Sequence, residues 1–159
     1  MANRTKVTGL QNVMKNLNRE IAKLGKTTMA GLIKGGILII RDTEKTSPLT
    51  PVDLGNLRAS RYMVTGLGSN KEPSPQFKGD DVGELKSDHS SVVGKALAKT
   101  AGKPLVVLGF SANYAAAVEE NKDPKIWNRP GSGRAFLQSS INRNKAKILA
   151  VIATSAKIK

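Results

Sequence analysis

The segment from Thr46 to Ser60 constrains the fold more than any other stretch of this chain. It sets two prolines, an aspartate and a glycine directly after a long apolar helical pattern. Pro48 and Pro51 each lack an N–H and push the preceding residue out of the α region, so the helix must stop here. Val52 to Gly55 then reads as a turn, with Asp53 bonding nearby backbone and Gly55 free to take positive φ. Leu57 to Val64 resumes as an extended segment. Leu57, Ala59, Arg61 and Met63 share one of its faces, and Arg58, Ser60, Tyr62 and Val64 share the other. Helix, elbow and strand follow in immediate succession.

Ahead of the elbow, Leu10, Val13, Met14, Leu17, Ile21 and Leu24 recur at helical steps of three and four. Thr8 is the predicted N-cap, and Gly25 the predicted end or bend. A second helical pattern runs from Thr27 to Thr46, with Met29, Ile33, Ile37 and Ile40 on one stripe; Gly31, Gly35 and Gly36 suit close helix packing. Between Gly66 and Gly102 the composition turns polar, which predicts an inserted loop or long hairpin, mobile in the isolated monomer. Val92, Val93 and Ala96 to Ala98 mark an ordered part of it, as strand or as helix. Pro104 to Phe110 is a short apolar run of the kind buried on both faces. Tyr114 to Glu120 reads as a short helix, Asn121 to Ser132 as a loop, and Gly133 to Ala156 as a final helix with Ser132 as its cap. The expected fold is α+β: N-terminal helices, a small mostly antiparallel sheet, and a C-terminal helix packed on it. It forms a single domain over residues 1–159, with the insertion at 66–102.

Charge is the compositional outlier. Lys and Arg number 26 against 12 Asp and Glu, a formal net charge of +14, and the stretch from Arg134 to Lys159 holds no acid. Such a surface attracts polyanions, whether nucleic acid or acidic protein subunits. Arg143, Lys145 and Lys147 are the candidate contacts to DNA or to an acidic partner. There is no cysteine, hence no disulfide framework and no thiolate metal site. No apolar run reaches membrane-spanning length, and the first residues lack an apolar signal core.

The inventory of reactive groups points away from catalysis. His89, the single histidine, falls in the polar insertion and reads as a surface residue. Asp80 and Asp81 lack the alternating acids of a calcium loop. The glycines around 66 and 131 form no nucleotide fingerprint. Gly131 to Arg134 suits either a loop with a helix cap or a phosphate held by free N–H groups, the loop being the commoner use. No cofactor, metal or catalytic residue is expected.

Three segments carry a family resemblance: the elbow, Asn113 to Glu120, and Gly133 to Ser140. In this order they resemble the tailed-bacteriophage neck proteins, also described as tail-completion or minor head–tail connector proteins. That family tends to show a Pro-Val-Asp-Thr-Gly-x-Leu-Arg-x-Ser elbow, a Tyr-Ala-x-x-Val-Glu segment and a Pro-Phe-Leu start to its last helix. This chain departs from the pattern at Leu54, at Asn121 after Glu120, and at Arg134 and Ala135 before Phe136. The resemblance implies a non-enzymatic structural virion protein at the head–tail junction, assembled in the host cytoplasm. Copies of the chain would form a ring, joining neighbouring connector and tail proteins, with its basic residues facing acidic partners or the genomic DNA in the channel. Arg58, Arg61, Glu119, Trp127 and Arg134 become candidate subunit contacts. Asp53 and Glu119 would pair with Arg58, Arg61 or a neighbour's Arg134, against a turn-forming role for Asp53 and an intrachain or solvated one for Glu119. Trp127, beside Ile126, is either a lid on the core or an interface anchor. The alternative function is a small nucleic-acid-binding protein whose charge is itself the function. A lack of stacking aromatics and of any binding motif weighs against it.

Overall fold

The structure is a computed structural model that describes residues 10–121 and 127–156. A helix of 36 residues, α1 (Leu10–Lys45), leads into the elbow. The short α2 (Asn56–Ala59), β1 (Arg61–Thr65), β2 (Ser69–Asn70) and α3 (Val82–Thr100) follow. The chain ends with β3 (Val106–Phe110), α4 (Ala115–Glu120) and α5 (Phe136–Ala156). The fold is α+β, as expected.

The three strands form an antiparallel sheet in the order β2-β1-β3. Met63 stands opposite Leu108, and Val64 opposite Val107. α1 and α5 pack along each other, and the glycines of α1 set their separation. A Cβ on Gly31 would lie 2.8 Å from Ile152 Cα, and one on Gly35 would lie 3.0 Å from Ile148 Cγ2. The glycine set is thus used for packing within the chain. Gly36 faces the sheet instead, where Met63 Sδ and Leu108 Cδ2 fill the space a side chain would need.

Several elements differ from the sequence expectation. α1 runs through Gly25 without interruption. One glycine costs a helix about 1 kcal/mol, and no proline follows to enforce a stop. Thr8, the predicted cap, lies outside the described residues. The elbow is followed by one helical turn before β1 begins. β3 is half-buried at the edge of the sheet rather than buried on both faces.

The largest change concerns residues 66–102. Instead of a polar loop or hairpin, this segment holds β2 and the whole of α3. Leu85, His89, Ala96 and Thr100 are the buried residues of α3. Their spacing of four, seven and four is helical, but only Leu85 is a large hydrophobe, so the apolar signal is faint. An ordered helix tied into the core removes the basis for expecting mobility there. His89 is correspondingly a core residue, not a surface one. It is 8% exposed, its Nδ1 lies 2.8 Å from Ser111 Oγ, and its ring meets Phe77 edge-on at 6.1 Å.

Burial pushes the His89 imidazole below its ordinary pKa, with a hydrogen bond to the Ser60 backbone acting the other way. The unfolded chain therefore takes up a proton at higher pH than the folded one, and stability rises with pH across that interval. The His89 contribution is complete above the ordinary histidine value of 6.5 and is lost as pH falls through the lower folded value. Thermal melts from pH 7.5 downward should show Tm dropping below about pH 6.5. The drop should be smaller in His89→Gln, and equal slopes in both proteins would contradict this account.

Candidate assembly surface

The elbow is held by a loop that is distant in sequence. Leu49 donates its N–H to Gly131 O at 2.8 Å, and Gly133 N–H returns to Leu49 O at 3.2 Å. Thr50 N–H closes back on Thr43 O at 2.8 Å. Arg129 donates to the Glu44 carboxylate at 3.0 Å and to the Glu44 backbone carbonyl at 2.8 Å. Gly55 takes φ 90°, the left-handed conformation expected of it. Asp53 accepts a hydrogen bond from Asn128 Nδ2 at 3.1 Å, so its carboxylate also ties elbow to loop.

Glu119 serves within the chain. Its carboxylate accepts from the backbone N–H groups of Leu137 at 3.2 Å and Gln138 at 2.9 Å. Its carbonyl accepts from Ala135 N–H at 2.8 Å. A carboxylate on free first-turn N–H groups also meets the positive end of the helix dipole. Glu119 therefore starts α5, the role predicted for Ser132. Ser132 pairs with Leu49 in an isolated bridge instead. The phosphate alternative for Gly131 to Arg134 loses two of its donors, because Ser132 N–H goes to Arg129 O and Gly133 N–H to Leu49 O.

The arginines also find partners in the chain. Arg61 Nε lies 2.6 Å from Glu72 Oε2, and Arg61 and Arg58 each approach Glu44 to 3.8 Å. Arg143, a candidate DNA contact, lies 2.6 Å from Asp42 and donates to the carbonyls of Thr46 and Ser47. Burial alone would raise the Asp42 carboxyl, but hydrogen bonds from Arg143, Thr46, Ser140 and Asn144 outweigh it and hold the group below its ordinary value. Arg143 thus clamps α5 to the end of α1. Lys145 and Lys147, on the same helix, are exposed, as is Arg134.

A cavity of about 400 Å³ opens beside the elbow. Its floor includes Leu57, Leu85 and Val118, and Asp53, Asp81 and Glu84 contribute three carboxylates. Half-buried Trp127 and the rim residue Tyr114 add aromatic surface. Burial raises the Tyr114 phenol pKa, and the nearby Asp53 carboxylate adds to the effect. Among the described residues no Lys or Arg lines this cavity. Across exposed Leu54 lies a shallower depression of about 310 Å³ lined by Arg58, Arg61 and Lys78. An apolar side chain, 57% exposed, thus stands between an acidic hollow and a basic one. The structure brings Arg58, Arg61 and Trp127 to this surface and leaves Arg134, Lys145 and Lys147 away from its lining. Ile126 lies outside the described residues. The acidic side was missed in the sequence, because Glu84 belongs to, and Asp81 immediately precedes, a helix that was not foreseen.

Among the described residues no group of three acidic or imidazole side chains is arranged to hold a metal ion, and no helix is long and apolar enough to cross a membrane. Comparison of the chain with protein-family models, with curated proteins and with solved structures finds no match.

Proposed function

We propose that this chain is a non-enzymatic structural subunit of a phage head–tail junction, a neck or tail-completion protein that works as one of several copies in a ring. One observation carries the reading. The three sequence segments that resemble the neck family, far apart in the chain, meet in one cluster. Leu57 and Ala59 from the elbow pack in one cluster with Ala115 and Val118 from the second segment and Phe136 and Leu137 from the third. Glu119 joins the second segment to the third. Residues that recur together for structural reasons should touch one another, and these do.

Assembly in a ring requires heterologous contacts between copies, and interface anchors are commonly apolar or aromatic groups ringed by polar ones. Leu54, flanked by opposite charges and with Trp127 close by, fits that description. The basic excess, including Arg134, Lys145 and Lys147, then meets acidic neighbours or the DNA passing through the junction. The test is imaging and mass spectrometry of purified particles of a phage that encodes the chain. Several copies at the neck are expected. Absence from particles, together with salt-dependent co-purification with nucleic acid, would reject the reading in favour of a nucleic-acid-binding protein.

A further inference from the structure

α1 is longer than the body it serves. A helix of 36 residues spans about 54 Å. α5 meets it at Gly31 through Ile152 and Ser155, Met29 is still buried just beyond, and the described part of α5 runs to Ala156. Residues 10–26 continue past that end for about 25 Å. Every described side chain from Gln11 to Lys26 is exposed. Four of them are large and apolar: Met14 at 55%, Leu17 at 58%, Ile21 at 57% and Leu24 at 52%.

Their spacing is three, four, three, which is a heptad seam rather than a broad amphipathic face. With Met14 at position a, Ile21 is also a, and Leu17 and Leu24 are both d. Leu10, the first residue of the helix, holds the preceding d position in sequence. The same register continues through Gly31 and Gly35, where the seam is filled by α5 of the same chain. The free half is therefore the continuation of a helix–helix seam already in use.

We infer that this free half of α1 pairs, parallel and in register, with the same half of a second copy of the chain. The charges select that occupant. Lys15, Arg19, Lys23 and Lys26 fall at b, f, c and f, pointing away from the seam. The flanking e and g positions among residues 18–27 are Asn18, Glu20, Gly25 and Thr27. Two copies thus meet without opposing cations, although this helix segment is strongly basic. A β-branched residue at a with leucine at d favours two parallel strands. A lipid-facing helix would carry a wider apolar face with aromatic residues, and residues 10–26 contain none. The seam is short beside the ~800 Å² per partner of a stable complex, so pairing is weak in solution and strengthened wherever copies are held side by side. The inference stands apart from the junction reading, since it requires no phage partner.

The experiment uses the full chain. Sedimentation should show a mass rising from one chain toward two between about 5 and 500 μM. Ile21→Asp, on an exposed position, should stay monomeric over that range with an unchanged far-UV spectrum. Because the chain has no cysteine, Leu24→Cys should form an interchain disulfide at least tenfold faster than Lys26→Cys. A mass that stays monomeric, association that survives Ile21→Asp, or equal cross-linking at both positions overturns the inference. So does binding to anionic vesicles that depends on Ile21 while the mass stays monomeric, which would assign the stripe to lipid.

Discussion

Phe136→Ala is expected to destabilise the protein by about 3–5 kcal/mol, the range for deleting a buried aromatic side chain. For a chain of this length that lowers Tm by roughly 6–20 °C. Phe136 is 1% exposed and meets Phe110 edge-on, with ring centroids 5.2 Å apart. It also sits in the cluster with Leu57, Leu85, Phe77 and Ala112. Removing its ring leaves a void that several elements line at once. The elbow, α3, the end of β3 and α5 cannot all move inward together, so the cavity term should be near its maximum. With only three phenylalanines in the chain, no other aromatic is at hand to refill the site. Phe136→Leu should retain most of the stability, since much of the volume is kept. Leu149→Ala, at a position 58% exposed on the same helix, should change Tm little. Denaturant unfolding of the three variants checks the set. A loss below about 1 kcal/mol for Phe136→Ala would mean that the cluster does not hold these elements together.

The parts of this fold that were legible are those where large hydrophobes or backbone-restricting residues set the local structure. The elbow could be read because Pro48, Pro51 and Gly55 restrict φ whatever surrounds them. β3 and α5 could be located because Val106, Val107 and Leu108, or Phe136, Leu137, Ile141, Ile148 and Ile152, repeat at recognisable periods. α3 could not, because its buried side holds His89, Ala96 and Thr100, small or polar residues satisfied by specific partners. Thr100 Oγ1 donates to Thr65 O at 3.3 Å, and His89 meets Ser111. Hydropathy registers none of that. The start of α5 was misplaced for a similar reason. Its cap comes from Glu119, distant in sequence, and a long-range cap has no local signature. The candidate surface was half legible: Arg58, Arg61 and Trp127 were named, but the acidic side depends on α3. The stripe from Met14 to Leu24 was visible as a pattern, yet periodicity alone does not tell a buried face from an exposed one.

Gly66→Ala should be the most damaging glycine-to-alanine change among the described residues. Gly66 follows β1 and leads into the turn to β2. Its N–H donates to Leu105 O at 3.0 Å, and its carbonyl accepts from Gly102 N–H at 3.2 Å. The chain after α3 therefore passes directly over it. A Cβ here would collide with the Lys103 carbonyl oxygen, with Lys103 C at 2.9 Å and Thr100 O at 3.0 Å. All three are backbone atoms, so no rotamer change relieves the clash. The backbone from Thr100 to Leu105 would have to lift. That would strain the Thr100 to Thr65 hydrogen bond, which Thr100 makes while fully buried, and the start of β3 beside it. Overpacking of this kind costs about 1–3 kcal/mol and occasionally more. With buried hydrogen bonds weakened as well, about 3 kcal/mol is expected, or roughly 6–12 °C in Tm. Gly68→Ala, two residues on, separates this effect from generic turn strain. Gly68 has φ 76° but nothing within 4 Å of a Cβ, so it should lose only about 1 kcal/mol from the left-handed backbone. Hydrogen exchange should find weakened protection in β3 and the end of α3 for Gly66→Ala alone. Equal losses in the two variants would mean that the close approach at Gly66 does not hold the two segments together.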